Sequence, residues 1–119
     1  MAVVLVVDDE QLSVIVLSQA LSEAGYEVET ARDAADAYAK LAPQPRSFSA
    51  VVTDVNLGDG DDGFAVARHA RRLNPAIQVA YMTGEAANLA MFEPDRALMF
   101  PKPYDPEEVA SQLSLLVPT

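Results

Sequence analysis

Cysteine and tryptophan are absent from the 119 residues, and there is a single histidine. Without cysteine the chain can build neither a disulfide framework nor a thiolate metal site. With no secretory signal pattern either, this points to the cytoplasm. The longest apolar run, at Ala2–Val7, falls far short of the roughly 20 residues that cross a bilayer, so no membrane association is expected. Basic residues are scarce: eight Lys and Arg stand against 18 Asp and Glu, a formal net charge of −10. A field of that sign repels phosphate backbones and argues against a direct nucleic-acid partner. Glycine and proline are also few, five and eight, while half the residues are hydrophobic. That composition suits one globular domain over residues 1–119.

Ala2–Val7 is continuously apolar and β-branched, as in a strand covered on both faces, and it stops at Asp8-Asp9. Leu17, Ala20, Leu21 and Ala24 then recur at helical spacing, predicting a helix over 12–24 with Gly25 at its C-terminal end. Tyr26–Ala31 reads as a second strand, and Asp33 as the cap of a helix bearing Ala37, Tyr38 and Leu41, ended by Pro43 and Pro45. A third strand, Ala50–Thr53, runs into Asp54 and a Gly/Asp-rich loop; Val66, Ala70 and Leu73 mark a helix ended by Asn74-Pro75. A fourth strand, Ile77–Met82, meets Thr83-Gly84, and 85–93 reads as weakly helical, closed by Pro94. The fifth strand, Ala97–Phe100, precedes Pro101-Lys102-Pro103. Asp105-Pro106-Glu107-Glu108 opens a last helix whose apolar stripe is Val109, Leu113 and Leu116.

Alternating strands and helices with short connections imply an α/β fold, a doubly wound parallel sheet with helices on both faces. In such sheets ligands bind outside the carboxyl ends of the strands, where strand order reverses; for the flavodoxin-like order 2-1-3-4-5 that point lies between strands one and three. Asp8, Asp9 and Asp54 stand at those two ends. Three converging carboxylates repel one another, and a hard cation with oxygen ligands resolves the repulsion. Mg²⁺ fits best, because it takes one or two carboxylates and keeps waters that phosphoryl oxygens can replace. Lys102 offers a cation to a phosphoryl oxygen, Thr83 a hydroxyl donor, and Gly84 an unobstructed approach. The parts suit phosphoryl transfer.

Val6-Val-Asp-Asp-Glu10, Val52-Thr-Asp54, Met82-Thr-Gly84 and Phe100-Pro-Lys-Pro103 together resemble the CheY-like receiver domains of two-component response regulators over essentially the whole chain. The resemblance implies that Asp54 is the phosphoacceptor and that Asp9, Asp54 and the backbone carbonyl of Asn56 bind Mg²⁺, with Asp8 acting through coordinated water. Thr83 would be the switch hydroxyl, Lys102 the phosphoryl-binding lysine, and Lys102–Pro103 a cis bond. The implied partners are a histidine kinase or histidine phosphotransfer protein and an output protein that the sequence does not name. No output domain follows residue 119, so the chain is expected to act through protein contacts or as one module of a longer hybrid protein. Catalysis would be confined to slow self-phosphorylation and self-dephosphorylation. The chain departs from the family pattern where an aromatic switch usually sits, here Met99, with Phe100 expected on the opposite face of the strand. The interval from Thr83 to Lys102 is short, implying an abbreviated fourth helix, and the loop after Asp54 is about one residue longer and lacks the usual Met-Pro pair.

Plainer readings exist for each residue. Asp8-Asp9 can cap a helix, Asp54 can be a loop acid, Lys102 a surface charge, and Thr83 a branched strand end; their coincidence at adjoining strand ends favours the shared site. Asp59, Asp61 and Asp62 read as turn chemistry, and His69 as part of a solvated helix face. Two rival functions are a small acidic Mg²⁺-dependent phosphohydrolase or nuclease, which lacks a general-base histidine near any strand end, and a pseudo-receiver that binds partners without phosphorylation, against which the intact acidic set argues.

Overall fold

A computed structural model describes residues 2–84 and 97–119. The strands are β1 (Val3–Val7), β2 (Glu27–Ala31), β3 (Phe48–Asp54), β4 (Gln78–Thr83) and β5 (Ala97–Pro101), and the helices are α1 (Gln11–Glu23), α2 (Ala34–Leu41), α3 (Gly63–Leu73) and α4 (Pro106–Leu116). All strand pairs are parallel, in the order β2-β1-β3-β4-β5, as the alternation of elements predicts. The helical segment expected at 85–93, its closure at Pro94 and the abbreviated helix implied there lie outside the described residues.

The apolar run of β1 is explained by its position inside the sheet. Leu5 and Val7 point into a layer with Val51, Val79, Tyr81 and the buried faces of α2 and α3. Val4 and Val6 point the opposite way, into a layer with Val52, Ala80, Met82 and Phe100 beneath α1 and α4. A strand buried on both faces has no polar position to spare, so its hydrophobicity is continuous instead of alternating. The edge strand β2 instead exposes Glu27 and Glu29, whose charges discourage pairing with another chain.

Three helices begin on an aspartate whose carboxylate accepts a backbone N–H: Asp33 from Asp36, Asp62 from Ala65, and Asp105 from Glu107. Two predicted stripe members are corrected: Ala24 is exposed as the last cap of α1, and Leu116 is 48% exposed. In α4 the buried face is Val109, Ala110 and Leu113, so the stripe closes one turn before the helix does.

Asn74 does more than end α3. Buried at the helix terminus, its side-chain amide donates to the Phe48 carbonyl at 3.0 Å, and its Oδ1 accepts from the Ala76 amide at 3.2 Å. It therefore ties the start of β3 to the turn entering β4. Asn74→Ala is expected to cost about 1–3 kcal/mol by leaving the Phe48 carbonyl unsatisfied, read from urea unfolding; a change below about 0.5 kcal/mol would remove this role.

Candidate functional site

Register brings the acidic residues together. Val7 pairs with Thr53, so Asp8 and Asp54 follow at the same level on adjacent strands, which lie roughly 4.8 Å apart in a sheet. Thr53 pairs with Tyr81, Asp54 with Met82, and Thr83 with Pro101, which sets Thr83 and Lys102 at the same rim. Backbone bonds continue the ladder beyond the last pairs: Val55 N–H to the Met82 carbonyl at 3.0 Å, Lys102 N–H to the Thr83 carbonyl at 2.7 Å, and Asp8 N–H to the Ala31 carbonyl at 3.1 Å. The site backbone is thus held as firmly as the sheet itself.

Asp8, Asp9 and Asp54 each present a carboxylate oxygen within 4.8 Å of the others, Asp8 and Asp54 buried and Asp9 exposed. The two buried carboxylates are held alike, Oδ1 of Asp8 accepting from the Glu10 amide at 3.0 Å and Oδ1 of Asp54 from the Asn56 amide at 3.2 Å. Oδ2 of Asp54 takes the Lys102 ammonium at 2.7 Å, whereas the buried Oδ2 of Asp8 has no hydrogen-bond partner. Burial works against the Lys102 charge, but the hydrogen bond and charge of Asp54 outweigh it and raise its pKa. Burial pushes the Asp8 carboxyl up from 3.8 to about 6; the Glu10 amide opposes the rise and the Asp54 charge adds to it.

A pocket opens over this cluster, lined by Asp9, Asp54, Asn56, Thr83, Gly84 and Lys102 among others. Thr83 is buried within it. A side chain at Gly84 would meet no described atom within 4 Å and so would project into open space at the pocket. Lys102–Pro103 is cis, as the resemblance implied. Met99 packs partly buried on the α2/α3 side and Phe100 is buried on the other, as strand alternation requires.

Sequence reasoning missed one glycine beside the site and one contact outside it. A Cβ at Gly63 would lie 2.2 Å from the Asp54 carbonyl oxygen, so only glycine lets α3 start against the end of β3. The glycine was visible, but nothing local distinguished it from its neighbours in the loop. Tyr38 donates its hydroxyl to Asp61 at 2.8 Å, and its ring lies 4.3 Å from that of His69. His69 is therefore half-buried against Tyr38, not part of a solvated face.

The family model for the response regulator receiver domain matches residues 4–114. The chain belongs to the response-regulator receiver family. A curated relative, the response regulator receiver protein CpdR of Brucella abortus (strain 2308), is 30% identical over 104 residues, covering 85% of this chain and 84% of that protein. A receiver protein crystal structure from Sinorhizobium medicae WSM419 superposes with a TM-score of 0.87 at 27% identity, covering 97% of this chain and 93% of that one. The chemotaxis response regulator CheY4 of Vibrio cholerae gives 0.83 at 29% identity over 98% and 99%. Receiver domains are signalling modules of two-component systems, and the acidic pocket described above is where the family uses Mg²⁺.

The residues present fit that ion. The cluster offers only oxygen donors, the set suited to hard divalent cations. Three carboxylates face one ammonium, and the unpartnered Oδ2 of Asp8 is a buried acceptor awaiting a donor or a coordinated water. Among the described residues no helix is long and apolar enough to cross a membrane.

The Asp8 shift has a definite sign. Its folded-state pKa lies above the ordinary carboxylate value, so its stabilising contribution is complete below pH 4 and is lost as pH rises through about 6. In chelator, Asp8→Asn should therefore stabilise the chain at pH 7.5, by up to about 3 kcal/mol if the whole shift is recovered, and should have little effect near pH 4. Urea unfolding at both values checks this; equal destabilisation at both would show that the Asp8 side chain supports the fold independently of its charge, against the raised value.

Proposed function

We propose that Asp54 accepts a phosphoryl group from a phosphohistidine on a histidine kinase or histidine phosphotransfer protein, and that the chain is one cytoplasmic receiver domain over 1–119. The observation that carries this is the Asp54 carboxylate, buried at a strand end between the Lys102 ammonium and the acidic pair Asp8 and Asp9. An Asp54 carboxylate oxygen forms the new O–P bond while the P–N bond to the imidazole breaks. The electron pair leaves with the ring nitrogen, which takes a proton from solvent. Lys102 exchanges its bond to Oδ2 for one to a phosphoryl oxygen, and the Thr83 hydroxyl donates to another. Asp9, Asp54 and the Asn56 carbonyl would hold Mg²⁺, with Asp8 acting through water, and the ion when bound neutralises charge on the phosphoryl oxygens. Attack of water on the acyl phosphate returns the carboxylate, which is the extent of catalysis expected.

A phosphodonor must approach past α1. That helix leaves Leu12, Ile15 and Val16 exposed at 68%, 56% and 44%, and a groove lined by Leu12, Val16, Tyr104 and Pro106 runs beside Lys102. An apolar patch of this kind, rimmed by Glu10 and Ser13, supports docking of an apolar protein surface carrying the phosphohistidine. The response is expected to run through Thr83.

Incubation with a small-molecule phosphodonor and Mg²⁺ should add one phosphoryl group by intact mass, and none to Asp54→Asn; equal labelling of the variant would remove Asp54 from its role. Thr83→Ala should still be labelled but should lose the phosphorylation-dependent shifts of backbone amides around 98–104. Shifts that survive the substitution would place the switch elsewhere.

Titrating Mg²⁺ should raise the melting temperature, because the ion binds the folded cluster and not the unfolded chain. Asp9→Asn should blunt that rise, and an identical titration curve would contradict Asp9 as a ligand.

A further inference from the structure

We propose that Tyr38 is a positioning residue for the Mg²⁺ pocket, acting as a latch that holds the loop after Asp54 through Asp61; this rests on the receiver reading above. The loop leaves β3 at Asp54 and returns at Gly63, whose N–H bonds the Val55 carbonyl at 2.8 Å and closes it into a ring. Along the ring, Asn56 and Gly58 line the pocket, and a Cβ at Gly58 would lie 3.8 Å from Oδ2 of Asp9. The loop is thus one wall of the metal site, and it carries the carbonyl assigned to the ion.

Two glycines set the path of that wall. Gly58 and Gly60 adopt φ of +80° and +90°, conformations that cost glycine little, and both are exposed. Leu57 anchors one end of the loop in the core, and Asp62 caps α3 at the other. Between these anchors the Tyr38 hydroxyl reaches across from α2 to Asp61 at 2.8 Å. Its ring is backed by His69 on α3, 4.3 Å away, so the donor comes from a side chain already packed between two helices. Burial and the Asp61 carboxylate push the Tyr38 phenol up to about 12, so the donor proton is present throughout the neutral range. With a fixed donor at Asp61 and two exposed glycines, Gly58 and Gly60, between it and Asn56, the latch controls how often the wall is in place.

The two partners differ in what substitution removes. Tyr38→Phe deletes the donor and keeps the ring against His69. Asp61→Ala deletes acceptor and charge, whereas Asp61→Asn deletes the charge but keeps an acceptor oxygen. Mg²⁺ affinity would be measured by calorimetry on each full-length chain, together with amide hydrogen exchange of residues 56–61 in chelator. Tyr38→Phe and Asp61→Ala should each weaken Mg²⁺ by roughly threefold or more, less than the ~10- to 100-fold typical where the supporting group bonds a ligand directly. Both should speed exchange in 56–61, the double variant should be no worse than either single one, and Asp61→Asn should stay within about twofold of the parent. The rate of labelling by a small phosphodonor at saturating Mg²⁺ should be unchanged, because the latch positions the wall and touches no reacting atom. Parental affinity and exchange in Tyr38→Phe would overturn the latch, as would equal loss in Asp61→Asn and Asp61→Ala, which would assign the effect to charge. A parent chain that binds no Mg²⁺ would overturn the metal reading itself, and the chelator exchange data would still decide whether Tyr38 holds the loop.

Discussion

The pairing of Val7 with Thr53 places the next residues of β1 and β3, Asp8 and Asp54, side by side in the interior rim of the sheet, and most of the site's behaviour follows from that adjacency. Two buried carboxylates with a third within 4.8 Å are unfavourable in a low-dielectric setting, and the fold offsets this incompletely. Lys102 satisfies Asp54, and one backbone amide satisfies each buried Oδ1, but Oδ2 of Asp8 is left over. Removing Asp8 would relieve the repulsion at the expense of the cation site. In the proposed function the local instability and the capacity to bind Mg²⁺ are one property, seen without and with the ion.

The fold was legible because the strands announce both faces at once. Val4 to Val7 and Ala50 to Val52 are apolar at every position, which only a sheet covered on both sides demands, and an aspartate follows each run, directly after Val7 and after Thr53 in β3. The chemical residues were legible for the same reason, since a polar residue immediately after such a run must sit at the strand's carboxyl rim. What escaped was set by contacts distant in sequence. Asn74 looked like a terminator, yet its amide reaches Phe48, 26 residues earlier. Gly63 looked like one loop glycine among several, and only the approach of α3 to the Asp54 backbone distinguishes it. Tyr38 fitted a helical apolar stripe, and nothing local shows that its hydroxyl meets Asp61, 23 residues on. The exposed Leu12, Ile15 and Val16 were hidden by a different limit, because α1 has apolar residues around much of its surface and periodicity did not say which face is covered.

Where the family pattern places an aromatic switch, this chain has Met99, yet aromatic mass is not missing from that side of the sheet. Tyr81 pairs directly with Met99 across the β4–β5 ladder, and its ring lies 5.1 Å from that of Phe64 at the start of α3, which itself lines the pocket. The Phe64–Tyr81 pair is wedged between α3 and the sheet, a position that favours a fixed packing element over a rotor. Met99 beside it is unbranched and adaptable, able to follow small shifts of its neighbours without a defined second state.

In the proposed function a flexible side chain at position 99 leaves the backbone to transmit the response, and the β4–β5 ladder is suited to it. The Thr83 carbonyl accepts the Lys102 amide at 2.7 Å, so the residue proposed to donate a hydroxyl to the phosphoryl group is hydrogen-bonded to the backbone of the residue proposed to donate the ammonium. Any inward movement of Thr83 therefore draws on the same bond as a movement of Lys102, and the two responses cannot be independent. Among the described residues β5 is an edge strand, paired only to β4, so it can absorb a displacement that the central strands, locked on both sides, cannot. In the proposed function the signal then leaves the site along β5 and its flanking chain, while β1 and β3 keep Asp8, Asp9 and Asp54 in place for the chemistry.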